Sequence, residues 1–156
     1  MRRMADSAMS DASPQVPYWH LWTDAAGVSH QVRCALSRFT MAAMGAGAAP
    51  QWQGSRTHDG MTVMVTIQPV GWVGEWHENP RPQWIIPLSG RWFVESMDGT
   101  VVEMGPGELS LGEDQNTTLT NGRKGHRSGT VGDVPAVLMV VQFDAPPTID
   151  RPCRFA

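Results

Sequence analysis

The stretch that most restricts the fold begins at residue 61. Met61, Val63, Val65 and Ile67 alternate with Thr62, Met64 and Thr66. A period of two puts one set of side chains on each face of a strand, so this segment is expected to be a half-buried β-strand. The same texture runs on to residue 143. Pro69-Val70-Gly71 ends the first strand, and residues 84–88 form a second apolar run whose Pro87 marks a sheet edge or a bulge. Segments 91–97 and 100–104 flank Asp98-Gly99, a pair that supplies the positive φ of a two-residue hairpin turn. Gly105-Pro106-Gly107 makes another turn, 108–111 a short strand and 113–124 a polar loop. Segments 126–131 and 136–143 complete the series. Upstream, 18–22 and 30–39 read as strands across a 23–27 turn, and 41–50 as a loop broken by glycines and closed by Pro50.

Many short strands with Gly/Pro turns and almost no helical period predict an all-β sandwich or barrel, whose interior is lined by alternate residues. A chain of 156 residues suits one domain. Its expected limits are 17–144, between a polar tail at 1–16 and an irregular, Pro-rich tail at 145–156. The formal net charge of −3 and a pI near 5.9 leave no basic field for a nucleic-acid backbone or an anionic membrane. The N-terminus lacks the apolar core of a secretory signal, and no apolar run reaches the ~20 residues of a membrane helix. Cys34 and Cys153 stand in no zinc-like spacing. Two free thiols of a reducing compartment are the expectation, a disulfide between them the alternative. A cytoplasmic protein is inferred. Seven Trp and ten Met are many for this length; they fill the core, line a pocket, or cover a homodimer contact.

The chemistry concentrates between residues 71 and 126. Gly71, His77, Asn79, Gln83 and Gly90 are followed by Gly107, Glu113-Asp114 and Gly125-His126. This spacing resembles the two motifs of the cupins: Gly, five residues, His-x-His, three or four residues, Glu, six residues, Gly, and then a second motif carrying a further His. The wording Trp76-His77, Pro80-Arg81, Gln83, Ser89-Gly90, Gly105-Pro106-Gly107-Glu108 and Lys124-Gly125-His126-Arg127 is similar to a common group of small bacterial cupins. The resemblance covers roughly 23–143, and it implies a cupin β-barrel, the double-stranded β-helix or jelly roll. It implies a divalent transition metal (Fe, Mn, Ni or Zn) inside the barrel, acting on a small organic molecule as a dioxygenase, isomerase, lyase or cyclase. A metal-free small-molecule-binding cupin is the alternative.

Carried over position by position, the resemblance makes His77, Gln83 and His126 the metal ligands. Asn79 stands in the second histidine's place, and Gln83 in the glutamate's place. Two amides therefore replace an imidazole and a carboxylate, and a neutral amide oxygen is a weak ligand. Arg81 can anchor a carboxylate or pair with Glu75 or Glu78. Asp114 can supply a general base near His126 or cap its loop. If His77 and Gln83 face inward, Trp76 and Trp84 face outward. His20, His30 and His58 fit no recognised spacing and are expected to be structural or exposed.

Overall fold

The computed structural model describes residues 13–43, 46–47, 49–54 and 59–156. His58 and the first twelve residues of the expected tail lie outside them. Eleven strands are found among the described residues: β1 (Val16–Thr23), β2 (Ser29–Leu36), β3 (Thr40–Ala42), β4 (Gln51–Gln53), β5 (Thr62–Gln68), β6 (Gln83–Ser89), β7 (Arg91–Ser96), β8 (Val101–Met104), β9 (Ser110–Glu113), β10 (His126–Val131) and β11 (Ala136–Gln142). The protein is all-β among the described residues.

Two sheets face each other. One runs β2-β1-β9-β6-β11-β5 and the other β10-β7-β8. Antiparallel bridges Val73↔Gly129 and His77↔His126 add the irregular segment 73–77 to the free side of β10. Counting that segment as a strand, the core reads β5-β11-β6-β9 against 73–77-β10-β7-β8. Successive strands pass from one sheet to the other except at the β7–β8 hairpin. This is jelly-roll order, the fold class expected from the cupin resemblance. β1 adds in parallel to β9, and β2 pairs with β1.

Alternation decides what each face buries. Leu21, Ile85, Trp92, Val94, Met104 and Leu138 meet between the sheets, each worth about 1.5–3 kcal/mol on leaving water. On the opposite face of β1 and β9, Tyr18 and Leu111 pack with Phe143 under Cys153 and Phe155 of the C-terminal tail. That tail is fastened. Ile149 bridges Thr23, and Cys34 is bonded to Cys153 with the Cα atoms 5.4 Å apart. The free thiols expected from sequence are therefore corrected to a disulfide. A separation of 119 residues says nothing about proximity; only the return of the tail across β2 brings the pair together. The inference of a reducing compartment loses this support, and there remains the fact that no helix of the described residues is long and apolar enough to cross a membrane.

Two local expectations are also adjusted. The hairpin loop is Met97-Asp98-Gly99 rather than two residues: only Gly99 is left-handed, at φ 87°, and Ser96 N–H donates to Thr100 O at 3.0 Å. A three-residue loop of this kind ends on one left-handed residue. The expected 41–50 loop instead begins inside β3, which pairs with β4. Pro87 lies beyond the part of β6 that pairs with β9 (Gln83–Ile85), so it is paired on the β11 side only, at a local edge. It stands beside the register shift between Val137 and Leu138, the bulge alternative.

Candidate functional site

His77 and His126 are 49 positions apart, yet they are backbone partners. Each donates its N–H to the other's carbonyl oxygen at 2.9 Å. Residues directly opposite each other in an antiparallel pair project to the same side, so the imidazoles face each other with ring centroids 4.6 Å apart. Gly125 makes the approach possible. Its φ is +66°, and a Cβ there would sit 2.2 Å from the His77 carbonyl oxygen, so any other residue would clash as well as strain the backbone.

The rings are held from behind. His77 Nδ1 lies 2.7 Å from the Glu75 carbonyl oxygen, and His126 Nδ1 2.6 Å from Asp114 Oδ2. A carbonyl oxygen only accepts, so the His77 proton sits on Nδ1; the Asp114 carboxylate places it there in His126 too. In the neutral rings both Nε2 atoms keep their lone pairs. Asp114 is sealed from solvent. Burial alone would raise its carboxyl, but the charge and hydrogen bond of His126 and the two N–H groups of Asn79 outweigh it, holding the group below the ordinary carboxylate value.

A chain of side chains leads away from that carboxylate. Asp114 Oδ1 accepts from Asn79 N at 3.0 Å and Nδ2 at 2.6 Å. Asn79 Oδ1 accepts from Gln83 Nε2 at 2.7 Å, and Gln83 Oε1 from Gln142 Nε2 at 2.9 Å. Gly112 leaves the room this needs, since a Cβ there would meet Asn79 Nδ2 at 2.4 Å.

A cavity of about 220 Å³ opens in front of the rings. His77, Asn79, Gln83 and His126 line it, so the four motif positions converge on one space. Met64, Ile85, Leu138 and Val140 supply apolar wall, Trp72 and Trp92 aromatic wall, and Thr66, Gln68, Ser128 and Gln142 further polar groups. Among the described residues lining it, none carries a fixed charge. It is smaller than the roughly 300–1,000 Å³ usual for drug-sized ligands.

The two residues expected to orient substrate or move a proton lie elsewhere. Asp114 sits behind His126, with both oxygens engaged, and is a positioning residue in this geometry. Arg81 pairs with Asp144 at 2.5 Å and reaches Gln142 Oε1 at 3.4 Å, outside the cavity wall. Trp84 packs outward against Tyr18 and Phe155, and Trp76 lies under the Arg123 and Arg127 guanidinium groups. Gln142, Gln68, Trp72 and Trp92 were missed from sequence. For Gln142 a signal existed: it is a polar residue at an inward position of an otherwise apolar strand. For Gln68 none did, because the half-buried apolar face expected on β5 is corrected: Met61, Val63, Val65 and Ile67 are exposed, and Met64, Thr66 and Gln68 face the cavity.

No family model matches the chain, and no curated protein does. Solved structures are similar only distantly. The protein NMB1881 from Neisseria meningitidis is 15% identical over 64% of this chain and 90% of its own, with a TM-score of 0.40. The DMSP lyase DddQ from Ruegeria pomeroyi is 18% identical over 72% and 50%, at 0.43. The protein YhaK from Escherichia coli is 16% identical over 76% and 49%, at 0.45. The chain thus spans about half the length of the latter two.

Proposed function

We propose that the barrel interior is a site for a small organic molecule, served by a divalent transition metal held at His77 Nε2, His126 Nε2 and Gln83 Oε1. The observation that carries this reading is the imidazole pair: two rings 4.6 Å apart, each with Nδ1 tied back. Histidines that bind metal characteristically give their other nitrogen to a carboxylate or carbonyl in this way. Gln83 Oε1 keeps one lone pair after accepting from Gln142. Among the described residues no group of three His, Cys, Asp or Glu is arranged to hold a metal ion, so the donor set is neutral and holds a dication weakly. When bound, such an ion polarises a substrate oxygen. The chain itself would orient His126 through Asp114 and shelter the substrate's apolar part against Ile85, Leu138 and Val140, with Arg81 held outside the wall by Asp144. Dioxygenase, isomerase, lyase and cyclase chemistry all remain compatible with this arrangement.

Metal content and affinity at one fixed pH test the reading. Wild type should take up iron, manganese, nickel or zinc, Gln83→Glu should bind it at least tenfold more tightly, and His77→Ala and His126→Ala should lose it. Retention of metal by both histidine variants would remove this ligand set. A second reading is favoured by the amide chain, in which Gln83 already donates to Asn79 and accepts from Gln142. On that reading the pocket binds its ligand without metal, and no variant, Gln83→Glu included, takes any up.

We also propose that the protein pairs with a second copy of itself through β5. This strand pairs on one side only, with β11. Its outward Val63, Val65 and Ile67 are 61%, 55% and 66% exposed. Val137, Met139 and Val141 of β11 and Ile86 and Leu88 of β6 continue that apolar face. An edge strand meeting its own copy about a twofold axis satisfies both rows of backbone groups, and the flanking face extends the contact toward the ~800 Å² per partner that a stable interface needs.

A further inference from the structure

Three buried primary amides of the cavity wall form a chain: Asn79, Gln83 and Gln142 are 4%, 8% and 8% exposed. A primary amide fits a slot either way round, since a half-turn exchanges its oxygen and nitrogen at nearly the same places. Its neighbours decide which way it stands, so the choice passes along the chain to whatever closes the ends. One end is the Asp114 carboxylate, which only accepts; the other is the Arg81 guanidinium, which only donates. Beside Asp114, Asn79 must offer Nδ2, which leaves Oδ1 for Gln83. Gln83 must then offer Nε2, which leaves Oε1 for Gln142. Gln142 in turn offers Nε2, and its Oε1 accepts from Arg81 Nη2 at 3.4 Å. The same order follows from the Arg81 end. Because the two charges are opposite and stand at opposite ends, no link of this chain sets acceptor against acceptor. Asp144 keeps Arg81 at its end. Asn79 is fixed further by its own N–H on Asp114 and by Gln115 Nε2 on its carbonyl oxygen.

We propose that Gln142, backed by Arg81, is a positioning residue that keeps the oxygen of Gln83, and not its NH2 group, at the ligand place of the site. The inference rests on the reading of Gln83 Oε1 as a metal ligand and adds what selects that atom. An amide NH2 group has no lone pair to give an ion. A turned Gln83 would put that group in the oxygen's place and set the oxygen against Asn79 Oδ1. Three residues outside the ligand set therefore decide what Gln83 presents. Gln142 donates to its oxygen, Arg81 keeps Gln142 facing that way, and Asn79, in the second histidine's place, takes the NH2. The chain also reverses the expected sign of one substitution. Gln142→Glu keeps the side chain's shape and its partner Arg81, but a carboxylate cannot donate to Gln83 Oε1. It draws the Gln83 NH2 instead. Charge alone predicts a tighter hold on a dication; loss of the oxygen predicts a weaker one.

Side-chain amide NMR on the metal-stripped full chain tests the orientation. The Gln83 NH2 pair is assigned by its loss in Gln83→Glu. In wild type its protons should cross-relax with the Asn79 side chain and not with the Gln142 γ protons. In Gln142→Glu the contact should pass to the side chain at position 142. Calorimetric titration with zinc at one fixed pH should show Gln142→Glu weaker than wild type by roughly tenfold or more. It should also be weaker than Gln142→Leu, which removes the link without asking Gln83 to turn. A wild-type NH2 pair beside Gln142, or divided between both places, overturns the proposal. So does a Gln142→Glu variant that binds zinc as tightly as wild type or more tightly. The wild-type spectrum carries the test if Gln142→Glu fails to fold. Zinc uptake by wild type separates this inference from the metal reading. Protein that takes up no zinc yet holds the pair beside Asn79 fails only as a metal site, and protein that binds zinc with the pair beside Gln142 fails only here.

Discussion

Glu113 and Asp114 are adjacent acids with opposite fates, because neighbouring residues of an extended chain project to opposite faces. Glu113 turns outward and is wholly buried with His20, whose Nε2 is 2.9 Å from Glu113 Oε2, and with Arg154 of the tail. Asp114 turns inward and orients His126. Asp114→Asn should therefore leave the fold intact but lower metal affinity 10–100-fold, the usual cost of losing a partner behind a ligating histidine; calorimetric titration with zinc checks it. His30 illustrates a different use of carboxylates. Its two ring nitrogens lie 2.7 Å from Asp24 Oδ2 and 3.0 Å from Asp98 Oδ2. Burial pulls its pKa down, but the hydrogen bonds to Asp24 and Asp98 outweigh this and leave it raised above 6.5. A raised folded-state pKa means stability that is fully present below about pH 6.5 and lost as pH climbs through the folded value. Thermal melts should thus show a stabilising contribution of roughly 1 kcal/mol or less, given the partial exposure, fading above pH 6.5 in wild type and missing in His30→Asn. An identical pH profile in the two proteins would exclude the clamp.

At the level of elements, the C-terminal tail repays attention because it has no regular structure and is nonetheless held at several points. The disulfide to β2, the Arg154–Glu113 pair and the packing of Phe155 on Trp84 all fix residues 150–156 to the outer face. Cross-linking a loop of this length stabilises by at most about 4–5 kcal/mol on the chain-entropy account, and typical losses are 2–5 kcal/mol. Cys153→Ser, or reduction of the wild type, should lower the melting temperature and raise the proteolytic sensitivity of the tail, with the 126–131 strand still protected in hydrogen exchange. Glycine sets the other critical element, the turn entering β10. Gly125→Ala should separate the histidine pair and abolish metal uptake even where the protein still folds, since the added methyl meets the His77 carbonyl.

For the whole molecule, the uneven covering of the larger sheet is the main consequence. Its β2-β1-β9 half is roofed by the tail, while the β11-β5 half presents apolar residues to solvent. A contiguous patch of this kind marks a partner surface, and the partner proposed is a second copy. Sedimentation at micromolar concentration should give a dimer for wild type and a monomer for Val65→Lys/Ile67→Glu, with the ligand site unaffected because both side chains point away from the cavity. A wild-type monomer would count against the contact.

Much of the fold is legible without coordinates. Alternation from residue 61 and the Gly/Pro turns determine strands nearly where they are found, but alternation alone did not say which face is covered: on β5 the apolar Val63, Val65 and Ile67 face solvent. The positions of His77, Asn79, Gln83 and His126 were legible as well, through spacing that resembles a known family. Sequence could not say what those side chains do once together. That Gln83 is already engaged by Gln142 and Asn79, that Asp114 stands behind His126 rather than before it, and that Arg81 is spent on Asp144 are outcomes of strands distant in the chain meeting across two sheets. The Cys34–Cys153 bond is of the same kind. Periodicity is a local property of the chain, whereas hydrogen-bond partners are set by long-range packing, so only the tertiary structure decided them.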